Sequence, residues 1–83
     1  MVSVNLKFTS PSDVADFVNI VSKFDTDIDI KYGSMVLDGK SIQGLYAIQL
    51  NTDLKCILHC NLDEAKSIIS YIQRFTTSTF KEY

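Results

Sequence analysis

The spacing of apolar residues switches between two periods within only 83 residues, and this switch limits the folds open to the chain. Apolar and polar residues alternate from Val2 to Phe8, which is typical of a strand with one buried face. From Val14 to Phe24 the apolar residues recur every three or four positions, which is typical of a helix. Because a chain this short can build only one modest core, we expect a single domain that spans residues 1–83.

Polar residues with short side chains mark the predicted helix starts. Ser10 precedes a proline and would cap the first helix, since proline favours the first helical position. Ser41 follows a short strand and would cap a second helix, which we expect to end near Leu50. Asn61, with Glu64 three residues later, would cap the last helix.

Three further segments have the alternation of strands. Acidic and apolar residues alternate from Asp25 to Tyr32 and predict a second strand with an acidic solvent face. Residues 35–37 predict a third strand, and residues 54–60 predict a fourth that lies centrally in the sheet. The order βαββαβα therefore favours an α/β (α+β) fold, in which helices cover one face of a four-stranded antiparallel sheet.

Charge and composition argue against several classes of function. The chain is 46% hydrophobic and 22% charged, which is typical of a folded globular domain. The net charge is −2 and the basic residues are scattered, so we expect no binding to nucleic acid. The first residues lack a basic stretch before an apolar block, and no apolar run approaches the length of a membrane span. We therefore expect a cytoplasmic protein that does not bind a membrane.

The cysteines and the single histidine predict neither a disulfide nor a metal site. Cys56 and Cys60 are four apart on one predicted strand, about 13 Å from each other, which is too far for a disulfide. Neighbouring strand residues point to opposite faces, so these cysteines and His59 do not converge on a metal ion. His59 lies in the fourth predicted strand with no arginine nearby in the sequence, and we interpret it as a partly exposed strand residue. We expect no metal and no cofactor.

The segment from Lys40 to Gly44 reads Lys-Ser-Ile-Gln-Gly and precedes apolar residues at 45, 47 and 48. It resembles the serine segment of the HPr family, the small phosphocarriers of the bacterial sugar phosphotransferase system. A short helix directly after strand three is a second similarity, which ferredoxin-like domains lack. The resemblance implies an HPr-like open-faced β-sandwich. In many Gram-positive members this serine is regulatory, so the resemblance makes Ser41 a candidate for regulatory phosphorylation.

The phosphoryl-accepting histidine of the HPr family has no counterpart here. An ungapped match of residues 17–18 to the family's Phe-Val places Ser10 at the histidine and Ser12 at a nearby arginine. Matching residues 9–11 to the family's Thr-x-Pro instead deletes the active loop. A phosphoserine ester is too stable to pass a phosphoryl group onward. The resemblance thus implies a non-enzymatic, HPr-like protein that has lost phosphocarrier activity.

Three hypotheses follow for the function. The first is a regulatory or protein-binding module controlled at Ser41, with a transcription regulator or HPr kinase as the partner that the resemblance implies. The second is a phosphocarrier that uses an unorthodox residue. The third is a plain interaction domain in which Ser41 only caps its helix. The candidate docking residues are Lys40, Ile42, Gln43 and Tyr46.

Two features bear on the partners of such a module. Gln43 replaces the apolar residue that many HPr proteins have at this position, which changes one edge of the docking surface. The catabolite-repression homologue of HPr, which also lacks the histidine, can dimerise by exchanging strands. The resemblance therefore allows either a monomer or a dimer.

Overall fold

The computed structural model describes residues 1–78 and 80–82 and has the predicted order of elements, extended by one short strand. In chain order the elements are β1 (Val2–Leu6), α1 (Pro11–Val21), β2 (Ile28–Tyr32), β3 (Met35–Asp38), α2 (Ile42–Tyr46), β4 (Leu54–Leu58), α3 (Leu62–Ile72), a 3₁₀ turn (Gln73–Phe75) and β5 (Lys81–Glu82). The prediction of an α+β fold with an antiparallel sheet is confirmed.

The strands form one sheet in the order β3-β2-β4-β1-β5, and every described pair is antiparallel. As predicted, β4 is central, between β1 and β2. Strand β5, which pairs with the start of β1, was not predicted from the sequence. A strand of two residues has no readable period, so alternation could not reveal it.

Several helices and strands are shorter in the structure than the sequence predicted. Helix α1 ends at Val21 rather than Phe24, because the chain turns there through tight bonds in which the Phe24 N–H donates to the Val21 carbonyl. Helix α2 ends at Tyr46 rather than Leu50 for the same reason, since the next N–H groups bond three residues back. His59 lies just past β4 rather than inside it.

The core lies between the helices and one face of the sheet. The inward strand residues and the apolar stripes of α1 and α3 are buried together. Three phenylalanine rings, Phe8, Phe17 and Phe75, pack edge to face with centroids 5.3 to 5.9 Å apart. They join the end of β1 to α1 and to the 3₁₀ turn. In the described part of the chain, no helix is long and apolar enough to cross a bilayer.

The opposite face of the sheet, here named the open face, carries mostly polar side chains. Strand register places Asn5, Lys55 and Lys31 side by side on β1, β4 and β2. One row further along the strands, Ser3, Ile57 and Asp29 are neighbours in the same way. The alternation of burial along β2 and β4 thus places the charged residues on the open face and, with the exception of Ile57, the apolar residues in the core.

Candidate functional site

Side chains at the start of α1 cap the helix and bond to one another. Ser10 has extended backbone angles, and its Oγ accepts a hydrogen bond from the Asp13 N–H at 3.3 Å. The same oxygen lies 2.9 Å from the Ser12 hydroxyl. The prediction that Ser10 caps α1 is confirmed. The hydroxyl at the position that the resemblance assigns to the family's histidine therefore already has two partners.

Two carboxylates near the start of α1, those of Asp13 and Asp16, belong to the helix itself. Asp13 accepts hydrogen bonds from the Thr9 N–H and hydroxyl, each at 2.9 Å, and from Arg74 at 3.1 Å. These hydrogen bonds hold the pKa of Asp13 below its usual value of 3.8, and the bond from the Thr9 N–H has the largest effect. Arg74, the only arginine in the sequence, also donates to Asp16 at 2.8 Å. The one guanidinium in the chain is thus occupied by two carboxylates.

Ser41 caps helix α2, as predicted. The Ser41 Oγ accepts from the Gly44 N–H at 3.3 Å, and the Ser41 carbonyl accepts from the Leu45 N–H at 3.0 Å. The side chain is half-buried rather than enclosed. Ser41 therefore caps a helix of five residues and remains partly accessible.

Lys40 does not extend from this surface as a free cation. Its Nζ donates to the Phe24 carbonyl at 2.6 Å, so the side chain bridges to the turn after α1. Its backbone N–H donates to Asp38 Oδ1 at 2.9 Å. Among the candidate docking residues, Lys40 thus has a structural contact that the sequence did not reveal.

The other candidate docking residues lie together on the exposed side of α2. Ile42 is 37% exposed and Tyr46 is 52% exposed, while Leu45 on the opposite side is buried. Gln43 is also exposed, next to Ile42. Residues 42, 43 and 46 form an exposed surface beside Ser41, which we name the α2 patch.

His59 and the cysteines lie elsewhere. His59 Nε2 is 2.8 Å from Asp29 Oδ2, at one end of the sheet. Both cysteines are free thiols. Burial, with a smaller contribution from the charge of Asp29, raises the pKa of Cys56 to about 12, and burial also raises the pKa of Cys60. Among the described residues, no three histidine, cysteine or acidic side chains are grouped so that they could hold a metal ion.

Comparison with known proteins identifies the fold. No family model matches the sequence, and no curated protein matches it. Solved structures do match. The histidine-containing phosphocarrier protein of a Mycoplasma superposes with a TM-score of 0.71 at 20% identity, over 87% of this chain and 88% of that chain. HPr from Bacillus anthracis superposes with a TM-score of 0.70 at 17% identity, over 90% and 95% of the two chains. The chain has an HPr-like fold.

A third structure with the HPr-like fold is Crh, a catabolite repression protein of Bacillus subtilis. It superposes with a TM-score of 0.62 at 18% identity, over 88% of each chain. The Crh structure is an intertwined dimer with a swapped domain. These neighbours confirm the HPr-like fold that the segment around Ser41 implied. The short helix expected directly after strand three is α2 in this structure.

Proposed function

We propose that this protein is an HPr-like module that has lost histidine phosphocarrier activity and acts in the cytoplasm as a regulatory or protein-binding module. The observation that carries the proposal is the chemistry at the start of α1. In the ungapped match to the HPr family, Ser10 stands where the histidine would be, and the other match deletes the active loop. At this end of α1, Asp13 and Asp16 hold the only arginine of the sequence.

The charges at the start of α1 oppose phosphoryl transfer. A phosphoryl group brings negative charge, which two nearby carboxylates repel. Arg74 could offset this charge only by giving up Asp13 or Asp16. A serine ester would also hold the group too firmly for a relay. These features together support the loss of carrier activity.

Phosphorylation at Ser41 is the proposed control. A phosphate on Oγ would stay close to the Gly44 N–H, which already donates a hydrogen bond to the unmodified oxygen. It would also add about two negative charges beside the exposed Ile42 and Tyr46 side chains. The modification would thus change the surface that a protein partner contacts. By resemblance, that partner is HPr kinase or a transcription regulator.

Intact mass after incubation with HPr kinase and ATP tests the control at Ser41. We expect one added phosphate on the wild type and none on Ser41→Ala. Ser10→Ala is the matched control, because it removes another half-exposed helix cap, and it should still gain the phosphate. Phosphate on Ser41→Ala, or its absence from the wild type, would refute phosphorylation at Ser41.

The α2 patch is tested by the rate of the same reaction. We expect Tyr46→Ala to slow phosphorylation about tenfold, since removing an aromatic anchor from an interface costs more than about 1 kcal/mol. Tyr71→Ala is the control, because Tyr71 is another exposed tyrosine, 64% exposed, that belongs to α3 rather than to α2. Equal rates for both variants would remove Tyr46 from the docking surface.

Incubation with the first enzyme of the sugar phosphotransferase system, which phosphorylates histidine in HPr, tests the loss of carrier activity. We expect no added phosphate. A phosphate that maps to His59 or Ser10 would instead support a carrier with an unorthodox residue. If neither enzyme modifies the protein, the plain interaction domain remains, with Ser41 serving only as a cap.

A further inference from the structure

Strand β3 lies at one end of the sheet and has a neighbouring strand on one side only. The strand order starts with β3 and β2, so within the described part of the chain no strand lies beyond β3. Met35 is 52% exposed and Val36 is 60% exposed, while Leu37 is half-buried. This end of the sheet, which we name the β3 edge, is therefore both apolar and accessible.

The hydrogen bonds between β2 and β3 show which backbone groups of the β3 edge point outward. In an antiparallel pair, opposite residues alternate between those that exchange hydrogen bonds and those that do not. The Gly39 N–H donates to the Ile28 carbonyl at 2.7 Å, which fixes the phase of this alternation. By the register, Leu37 then bonds with Ile30, and Val36 directs its N–H and carbonyl away from β2. These two groups are available to a further strand.

The β3 edge lacks the features that keep sheet edges from pairing with other chains. Such features are lysine or proline on the edge, a bulge, and a charge that points inward. Residues 33–37 include no charged residue and no proline. The register between β2 and β3 is uninterrupted over four pairs, from Tyr32 and Met35 to Asp29 and Asp38. A regular, apolar edge of this kind is a template for one more strand.

A second copy of β3 is complementary to this edge. When two copies run antiparallel about a twofold axis at Val36, each Val36 faces the Val36 of the other copy. In the same register, Met35 faces Leu37, so apolar side chains meet on the other face of the sheet as well. Ser34 faces Asp38, so a hydroxyl donor meets a carboxylate.

Charged side chains near this contact are far from their own copies. Lys31 neighbours Val36 on the open face, so the two Lys31 residues are three strand spacings apart, about 14 Å, which exceeds the screening length of about 8 Å. Asp38 is the only charged residue of β3, and its two copies lie at opposite ends of the paired strands. Like charges therefore do not oppose the pairing of two copies, although the chain as a whole is acidic.

We propose that this protein forms a dimer in which the β3 strands of two copies pair antiparallel and join the two sheets into one. The Val36 N–H of each copy donates to the Val36 carbonyl of the other. Because both copies use the same edge, the contact closes at two chains. The contact is much smaller than the roughly 1,200 Å² of a stable interface, so we expect a dissociation constant of the order of 0.1–1 mM. The dimer does not depend on the proposed role of Ser41.

Sedimentation equilibrium over a wide range of protein concentration tests the dimer. Between about 0.02 and 2 mM we expect the average mass of the wild type to rise from that of one chain towards that of two. A mass that stays at one chain over this range would overturn the proposal. A mass that passes two chains would overturn it as well, since the proposed contact closes at two.

The variants Val36→Lys and Tyr71→Lys separate the β3 edge from other exposed surfaces. Val36→Lys places two ammonium groups directly opposite each other in the paired strands, so we expect the dissociation constant to rise at least about tenfold. Tyr71→Lys makes the same change in net charge at an exposed residue of α3 and should dimerise like the wild type. If both variants dimerise equally, the dimer uses another surface, such as a swapped domain of the kind in the Crh structure, and the proposal fails.

Amide hydrogen exchange of the wild type locates the contact without a variant. The Val36 N–H faces water in the single chain and is bonded in the dimer, so its exchange rate should fall about twofold when half of the chains are paired. The Leu37 N–H, which bonds within the sheet, is the internal reference. Exchange at Val36 that does not depend on protein concentration would contradict the dimer. None of these measurements involves a kinase, so failure of the dimer is distinguishable from failure of the control at Ser41.

Discussion

At the scale of single residues, Gly39 shapes the turn that leads from β3 to Ser41. Gly39 is buried, and its N–H donates to the Ile28 carbonyl at 2.7 Å. A Cβ at this position would lie 2.8 Å from both Ile28 Cγ2 and the Ile28 carbonyl oxygen. The chain can therefore pass this close to β2 only without a side chain.

Replacing Gly39 should destabilise the protein. For Gly39→Ala we expect the free energy of unfolding to fall by about 1–3 kcal/mol, because the methyl group must displace backbone atoms. Urea denaturation measures the change. Ser34→Ala, at the exposed turn before β3, is the control and should change the free energy by less than about 0.5 kcal/mol. A Gly39→Ala midpoint equal to that of the wild type would contradict the close approach.

Ser41 has a capping role that can be separated from its chemistry. Ser41→Ala should cost about 1 kcal/mol of stability, whereas Ser41→Asp should retain most of it, since aspartate also caps helices well. Urea denaturation measures both. The aspartate variant cannot accept a phosphate on a hydroxyl, so it preserves the cap while removing the modified group. A Ser41→Ala variant as stable as the wild type would show that the cap contributes nothing.

At the scale of elements, Arg74 links the 3₁₀ turn after α3 to the start of α1. It bonds both Asp13 and Asp16, and its guanidinium carbon lies 4.0 Å from the centroid of the Phe75 ring. The contact between the two helices is therefore bordered by ion pairs next to the phenylalanine cluster.

This link predicts a dependence of stability on pH. The pKa of Asp13 is lowered in the folded state, so its contribution is present above 3.8 and is lost as the pH falls through the folded value. The difference in unfolding free energy between wild type and Asp13→Asn should therefore shrink below pH 3.8. Urea denaturation between neutral pH and pH 2 measures it. A difference that does not change with pH would contradict this assignment.

Local sequence patterns predicted the helices and strands. Contacts between residues that are far apart in the sequence could not be predicted from such patterns. The alternation in β1 and the caps Ser10, Ser41 and Asn61 depend on residues within one turn of each other, and all are confirmed. The bond between Arg74 and Asp13 spans 61 residues, so it follows only from the packing of α1 on α3.

In the candidate sites too, local features could be predicted from the sequence and long-range contacts could not. Exposure of Ile42 and Tyr46 follows from helical spacing around the buried Leu45. The bond from Lys40 to the Phe24 carbonyl depends on how the turn after α1 approaches β3, which no local pattern encodes. The outward direction of the Val36 N–H needs the register of β2 and β3 as well as the alternation within each strand.

At the scale of the whole molecule, Cys56 marks the centre of the sheet. It lies opposite Val4 on one side and Ile30 on the other, and it is fully buried. Its thiol therefore meets water only when the sheet comes apart, and its titration reports on unfolding of the entire domain.

This burial predicts a loss of stability at alkaline pH. The pKa of Cys56 is about 12 in the folded state, against 9.0 for an ordinary thiol, so the unfolded state loses its proton first. Relative to Cys56→Val, which removes the titrating group, the wild type should lose stability as the pH rises from 9.0 towards 12. Denaturant titrations at several alkaline pH values measure the loss. Parallel curves for the two proteins would contradict the assignment.

The pairing of β5 with β1 also determines how the molecule would respond to mechanical force. Val2 lies opposite Glu82, so the start of the first strand and the end of the last strand are adjacent, and the two strands are antiparallel. A pull applied between residues 2 and 82 would load the ladder from its open end and break its hydrogen bonds one after another. Stretched in this direction, β5 should peel away at low force, before the load reaches the long ladder between β1 and β4.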